Sequence, residues 1–590
     1  MRGNVVEIIA GHARDLPERT AVAVAGCDGR APDGASLTFA ELDRAARGRA
    51  VWLRQRCTTG ARILLLYPTG LEFVKSLLGC MYAGMVPVPA PLPVGRRHHL
   101  AQATGIALDA DAQVALTDSA HLGAVAAWAD QQGLARMLCA ATDVVAGGPP
   151  DSWVPPLISR EPFALLQYTW GAASEPKGVM IGHDNLLHGL DALGRNLGLG
   201  PDSVFAGRLL KHSGPALVGL VLGPLVLGAT AVLMPSVACT DDPYPWLRLM
   251  SRWRADVGAA PGFAYDLAAR RVTAEQAAEL DLSGWRHAFT AGTTVSAEGM
   301  AAFTERFAAA GFRPAAWRVG YCPPETSGSP VTSPPQAPPT VLHADAPALE
   351  NDVLTPQAAD GTGPRLVSRG TPLETDVRVV CPDTGRVLPE GRIGEIWLRG
   401  RSVGRGYWDK QDETVRTFRA VTEDGDGGYL RTGDIGGLFD GELYVTGRLN
   451  DVLVVQGRRL YAPHLEQRIA TLDEGFSGLR GSVFTVGAAD GEVVVVQEYG
   501  AGTAAPADLE RLAATVRGAL AASHGVHVGG IVFGRPGQVP RSFDGKPLRA
   551  FTRELFVADA LDPLYEDLHS GLRRRYRPRP GTGAVHKTHQ

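Results

Sequence analysis

Short apolar blocks alternate with longer segments whose apolar positions fall on one helical face through residues 1–160. Leu37 to Leu42 opens an amphipathic helix, with Thr38 as N-cap because its hydroxyl can accept from an orphan first-turn amide. Ile63 to Leu66, Val114 to Leu116 and Met137 to Ala140 read as buried strands, and Leu71 to Tyr82 as a helix. Val86-Pro87-Val88-Pro89-Ala90-Pro91 is extended, since proline fixes φ and removes a backbone donor. This alternation predicts an α/β class with largely parallel sheets.

The same reading continues downstream. Phe163 to Leu166 is a strand, a loop of small residues follows, and Val179 to Ile181 is a second strand after Pro176-Lys177-Gly178. His183, Asp184 and Asn185 offer caps for a helix from Leu186. No charge falls between His212 and Asp241, yet Pro215, Gly223-Pro224 and Gly228 divide the apolar stretch. It is predicted as a buried helix followed by a strand, Ala231 to Met234, and not as a membrane span. Further strands are expected over Val377 to Val380, Gly394 to Leu398 and Val493 to Val496, with an amphipathic helix over Leu509 to Ala522.

A chain of 590 residues exceeds what one hydrophobic core holds, so at least two domains are expected. The net charge of −4 argues against a nucleic-acid or membrane partner. Seven cysteines (27, 57, 80, 139, 239, 322 and 381) form no C-x-x-C pair, and the N-terminal apolar run is interrupted by Glu7 and His12. Both features point to a cytoplasmic protein with reduced thiols and no secretory signal. Arg573, Arg574, Arg575, Arg577 and Arg579 mark residues 573–590 as a solvated basic tail, with carrier-protein docking as the other reading.

Candidate chemistry centres on the loop after Phe163. A loop between strands that ends in Lys can cradle a triphosphate with backbone N–H groups and a point charge. The stretch Thr169-Trp170-Gly171-Ala172-Ala173-Ser174-Glu175-Pro176-Lys177-Gly178 resembles the phosphate loop T-S-G-[ST]-T-G-x-P-K-G of the adenylate-forming (ANL) superfamily. Several stretches resemble its fatty acyl-AMP ligase branch: Tyr67-Pro68 through Gly84 and Val88-Pro89, Ala259-Ala260-Pro261-Gly262-Phe263-Ala264-Tyr265-Asp266-Leu267, and Asp281 to Arg286. Gly404 to Trp408, Glu413-Thr414 through Phe418, Tyr429 to Asp434, and Gly457 through Pro463 with Glu466 follow the superfamily in order.

The resemblance implies a large N-terminal domain over residues 1–447, with an insertion at about 327–370, and a small mobile α/β domain over 448–572. It implies an enzyme that activates a carboxylic acid as its acyl-adenylate and passes it to the thiol of an acyl or peptidyl carrier protein in natural-product biosynthesis. The implied cofactors are ATP and Mg²⁺. Carried over by position, Thr169, Trp170, Gly171 and Lys177 face the phosphates. Glu325 holds Mg²⁺, Asp434 binds ribose and Arg448 steadies the nucleotide. Lys546 is the first-step catalytic cation, and His212 lies near the acyl pocket.

Departures from the pattern fall on the nucleotide positions. Trp170, Ala172 and Ala173 replace hydroxyl residues, Thr290-Ala291-Gly292-Thr293 replaces N-G-A-E, and Ser213 follows His212 where Asp is usual. Cys322 stands for a glycine and Asn450 for the hinge Lys or Asp. Two other readings therefore stay open at this level: an ATP-independent acyl transfer, condensation or hydrolysis on the same scaffold, and a non-catalytic carrier-binding protein. Nucleotide dependence of turnover separates the first, and absence of any turnover the second.

Overall fold

The computed structural model describes residues 3–26, 28–30, 32, 35–95, 97–145, 147–156, 163–169, 176–209, 214–235, 242–292, 295–358, 363–455, 458–476, 479–487, 491–500, 505–540 and 547–577. The chain forms two compact units that change over between Thr446 and Gly447.

In the first unit a nine-stranded sheet carries Val204–Arg208, Val257–Ala259, His287–Ala291 and Trp317–Tyr321 as parallel neighbours. Thr230–Met234 and Thr20–Val24 extend the parallel run on the other side of Val204–Arg208. Trp317–Tyr321 is buried throughout, as a strand covered on both faces must be. Register pairs Gly207 with Ala259, Ala259 with Phe289, and Ala291 with Gly320, so the carboxyl ends of these strands stand side by side. That edge is where open α/β sheets receive ligands. Behind it Trp246, Tyr265, Trp285, Phe303, Phe312 and Trp317 pack edge-to-face, and Tyr265 donates its hydroxyl to the Phe289 carbonyl at 2.9 Å.

A second parallel sheet runs Val86–Pro89, Arg62–Leu65, Val114–Thr117, Leu138–Ala141. The proline-bearing strand lies at the end of this order, where missing amides cost least. Helix Phe39–Arg54 is capped as expected: Thr38 Oγ1 accepts from Glu41 N at 3.2 Å, and Glu41 Oε2 accepts from Thr38 N at 2.8 Å.

In the first unit two expectations are corrected. The helix expected from Leu186 begins at His183 and runs to Leu197. Asn185 is its third residue and reaches back, so that Gly182 N donates to Asn185 Oδ1 at 2.8 Å. The apolar stretch is not one regular helix. It runs as α-helix Gly214–Leu217, π-helix Val218–Leu222 and α-helix Gly223–Leu227, then strand Thr230–Met234. Pro224, which cannot donate, sits at the start of the last helical piece. Among the described residues no helix is long and apolar enough to cross a membrane.

The described residues of region 327–370 are built into the fold. Val341–His343 pairs antiparallel with Arg365–Val367, and Leu342, Ala344, Leu349, Leu354, Leu366 and Val367 are buried. The second unit has a four-stranded sheet, Gly481–Val486, Glu492–Glu498, Val528–Gly534 and Pro563–Leu568, with the middle pair parallel. Helix Pro506–His524 makes that crossover. The basic end is only partly a tail. Residues 573–576 finish helix Ser570–Tyr576, and Arg577 pairs with Glu566 and Asp559, each at 2.8 Å.

Candidate active site

Phe163–Thr169 and Lys177–Gly182 form an antiparallel hairpin in which Thr169 lies opposite Lys177. Both residues stand at its mouth. Trp170, Gly171, Ala172, Ala173 and Ser174 lie outside the described residues, as do His212, Ser213, Thr293, Gly457 and Lys546. The root of the hairpin is fixed firmly. Tyr168 donates to Asp109 Oδ2 at 2.7 Å, and Lys410 Nζ pairs with Asp109 Oδ1 at 2.8 Å. A Cβ on Gly178 would lie 2.9 Å from the Tyr168 ring, so the residue after Lys177 must be glycine for this ring to pack.

Residues 405–408 add to the hairpin as a third backbone segment. Met180 N donates to Gly406 O at 2.9 Å, Arg405 N to Met180 O at 2.9 Å, and Trp408 N to Gly178 O at 2.7 Å. Gly406 adopts a φ of 135°, and a Cβ there would meet Thr414 Cγ2 at 2.3 Å. Its glycine thus lets Thr414 reach Tyr407, whose amide donates to Thr414 Oγ1 at 2.9 Å. Fixed this way, Tyr407 touches two candidate site residues. Its hydroxyl donates to Glu325 Oε1 at 2.9 Å, and Lys177 Nζ lies 5.3 Å from its ring centroid. Burial, then the neighbouring Glu325 and Glu413 charges, hold the Tyr407 phenol well above its ordinary pKa, so it stays a donor. Lys177 also pairs with Glu413 Oε2 at 3.1 Å.

Asp434 is buried on the strand Gly427–Phe439. Tyr321, at the carboxyl end of its parallel strand, donates to Asp434 Oδ2 at 2.8 Å. Behind them Arg369 is 2 % exposed. Burial pushes its guanidinium down to about 10, and the Asp434 charge works against that shift. Four Cα steps, a span of at most about 15 Å, separate Tyr321, the donor to Asp434, from Glu325, the acceptor from Tyr407. One short segment links the candidate ribose carboxylate to the candidate metal and phosphate groups.

Arg448 ends the strand Glu442–Arg448 and belongs to the second unit. In that unit both flanks of residues 541–546 are anchored. Glu498 accepts from Gly537 N at 2.8 Å and Val539 N at 3.0 Å. Arg549 pairs with Glu466 through two hydrogen bonds of 2.9 and 2.8 Å and with Asp451, next to Asn450. Burial raises the Glu466 carboxyl, and Arg549 opposes that shift.

The motif comparison picked out Lys177, Glu325 and Asp434 but gave no role to Tyr407, Glu413, Tyr321 or Arg369. Their signal was present, since Tyr407 and Glu413 lie in matched motifs, but chain spacing alone does not show which side chains meet. The donor set also bears on Mg²⁺. Among the described residues no group of three or more His, Cys, Asp or Glu could enclose a metal. A single hard carboxylate, Glu325, beside a cation suited to phosphate is the arrangement that a substrate-borne Mg²⁺ needs, because that ion takes most ligands from water and phosphates. The residues fit.

A largely parallel sheet whose carboxyl edge leads through Tyr321 to Asp434 and Glu325, together with a hairpin that resumes at Lys177, is an adenylate-forming architecture. Residues 9–408 match the family described as AMP-binding enzyme, and the chain belongs to that family, in its fatty acyl-AMP ligase branch. It is 34% identical to the medium-chain fatty acid–acyl carrier protein ligase JamA of Moorena producens, over 89% of this chain and 91% of that protein. A structure from work on fatty acyl-adenylate ligases of E. coli and L. pneumophila superposes with a TM-score of 0.83 at 25% identity, covering 94% and 97% of the two chains. The L. pneumophila ligase in complex with acyl adenylate and pyrophosphate gives 0.72 at 26% identity, covering 96% and 98%.

Proposed function

We propose that this protein activates a fatty or related carboxylic acid as its acyl-adenylate and transfers the acyl group to the phosphopantetheine thiol of a carrier protein. Family membership supports the class, and JamA, named as a carrier-protein ligase, supports the acceptor. The observation that carries the reading is the junction at Tyr407, which brings Lys177 and Glu325 onto one phenol ring.

In the first half-reaction a carboxylate oxygen of the acid bonds to the α-phosphorus of ATP, and pyrophosphate leaves. In the second, the carrier thiol loses its proton and attacks the acyl carbonyl, forming a thioester and releasing AMP. Both steps move negative charge, so positioned cations and donors supply most of the catalysis. Lys177 serves the leaving phosphates, Asp434 accepts from the ribose hydroxyls, Arg448 steadies the nucleotide, and Lys546 is the first-step cation. With Ala172 and Ala173 in place of hydroxyl residues, phosphate recognition falls to Lys177, Thr169 and backbone amides. When bound, Mg²⁺ is held by Glu325 and supplies charge neutralisation at the triphosphate.

The test combines a panel of fatty acids with Mg·ATP and an acyl carrier protein. The expected result is acid-dependent pyrophosphate release together with an acyl mass increase on the carrier. Carrier acylation that proceeds fully without nucleotide, or no turnover with any acid, would overturn the proposal.

A further inference from the structure

Lys177 does not wait uncommitted. Its ammonium is 3.1 Å from Glu413 Oε2, and the two side chains are 27% and 32% exposed. Two features make Lys177 the group that Glu413 and an incoming anion compete for. First, the Glu413 oxygen facing Lys177 is itself shielded from water and receives no well-directed hydrogen bond among the described residues, so it relies on the Lys177 charge. Second, Glu413 lies in the first turn of helix Gln411–Phe418, where unsatisfied amides favour a carboxylate with or without a lysine. Lys177 is likewise supported by the Tyr407 ring when its partner changes.

We infer that Glu413 is a built-in counter-ion that holds Lys177 and is displaced by the polyphosphate of the nucleotide. Glu413 therefore sets nucleotide affinity: each ATP that binds must take Lys177 from an intramolecular carboxylate and tolerate that carboxylate close by. AMP, which lacks the β- and γ-phosphates, escapes this competition. The inference rests on the nucleotide-site reading above and adds a residue that tunes it.

The test is titration calorimetry on the full chain with Mg·ATP and with AMP. It compares the wild type, Glu413→Gln, Lys177→Ala and the double variant, with thermal unfolding as the folding control. Glu413→Gln is expected to bind Mg·ATP about three- to tenfold tighter, the scale of a partly exposed ion pair plus relief of like-charge repulsion, with AMP affinity unchanged. In the Lys177→Ala background the gain is expected to vanish. Glu413→Asp, which keeps the charge on a shorter arm, is expected to give a smaller gain and serves if the Gln variant is poorly folded. Unchanged or weaker ATP binding by Glu413→Gln, an equal gain for AMP, or an equal gain without Lys177 would each overturn the inference while leaving the nucleotide site intact. No ATP binding by the wild type would overturn both.

Discussion

The Tyr407 hydroxyl donates to Glu325 Oε1 at 2.9 Å, and that one bond ties the candidate metal carboxylate to the segment that completes the phosphate hairpin. Tyr407→Phe keeps the ring beneath Lys177 and removes only the donor. A hydrogen bond to a charged acceptor contributes roughly 1.5–3 kcal/mol, so the Mg²⁺ concentration for half-maximal pyrophosphate release is expected to rise about tenfold. A Mg²⁺ titration at fixed ATP checks this. An unchanged Mg²⁺ requirement would separate Glu325 from the metal.

Asp434 is buried and takes a hydrogen bond from Tyr321, which ends a parallel strand of the nine-stranded sheet. If it accepts from the ribose, Asp434→Ala is expected to weaken Mg·ATP roughly tenfold to a hundredfold and to abolish discrimination between ATP and its 2′- and 3′-deoxy analogues. Competition binding with the three nucleotides measures both effects. Retained discrimination in the variant would remove Asp434 from the ribose.

His183 heads the helix that follows the hairpin, and burial lowers its pKa from the ordinary 6.5 to about 4. The sign follows directly: between pH 4 and 6.5 the unfolded chain binds the extra proton, so stability falls as pH drops through that window. The loss from this residue is about 2 kcal/mol between pH 7 and pH 5. Denaturant midpoints of the wild type are therefore expected to fall more steeply over this range than those of His183→Asn. Parallel pH profiles would contradict the assignment.

In the second unit Arg549 stands between Glu466 and Asp451 with its side chain 10% exposed. Arg549→Gln leaves two carboxylates without their cation, a change that costs roughly 3–5 kcal/mol when a buried pair is broken. Hydrogen exchange is expected to quicken across the strands Gly481–Val486 and Glu492–Glu498 and not across the nine-stranded sheet. Uniform acceleration in both units would show that the pair does not act locally.

Much of this was legible in the chain. The Thr38 cap, the two strands around the hairpin, the strand at Ala231 to Met234 and the α/β alternation each rest on local patterns, and each appears in the structure. The helix starts at His183, ahead of the predicted Leu186, because Asn185 caps from its third position instead of from outside the helix. The π-turn at Val218–Leu222 leaves no mark in the apolar residues between Pro215 and Gly223. Region 327–370, expected only as an insertion, instead buries Val331, Leu342, Leu349, Leu354, Leu366 and Val367, while Val341 stays exposed. The site showed the same limit. Lys177, Glu325 and Asp434 stand in motifs, whereas the Tyr407 junction joins residues 82 and 230 positions apart, a relation that only the fold creates.

The central claim is that this site makes an acyl-adenylate. The most direct measurement is mass spectrometry of a single turnover with Mg·ATP and a fatty acid, without any carrier protein. The expected result is an acyl-AMP species formed by the wild type and strongly reduced in Lys177→Ala and Lys546→Ala. Absence of acyl-AMP from folded wild-type protein with every fatty acid of the panel would contradict the account.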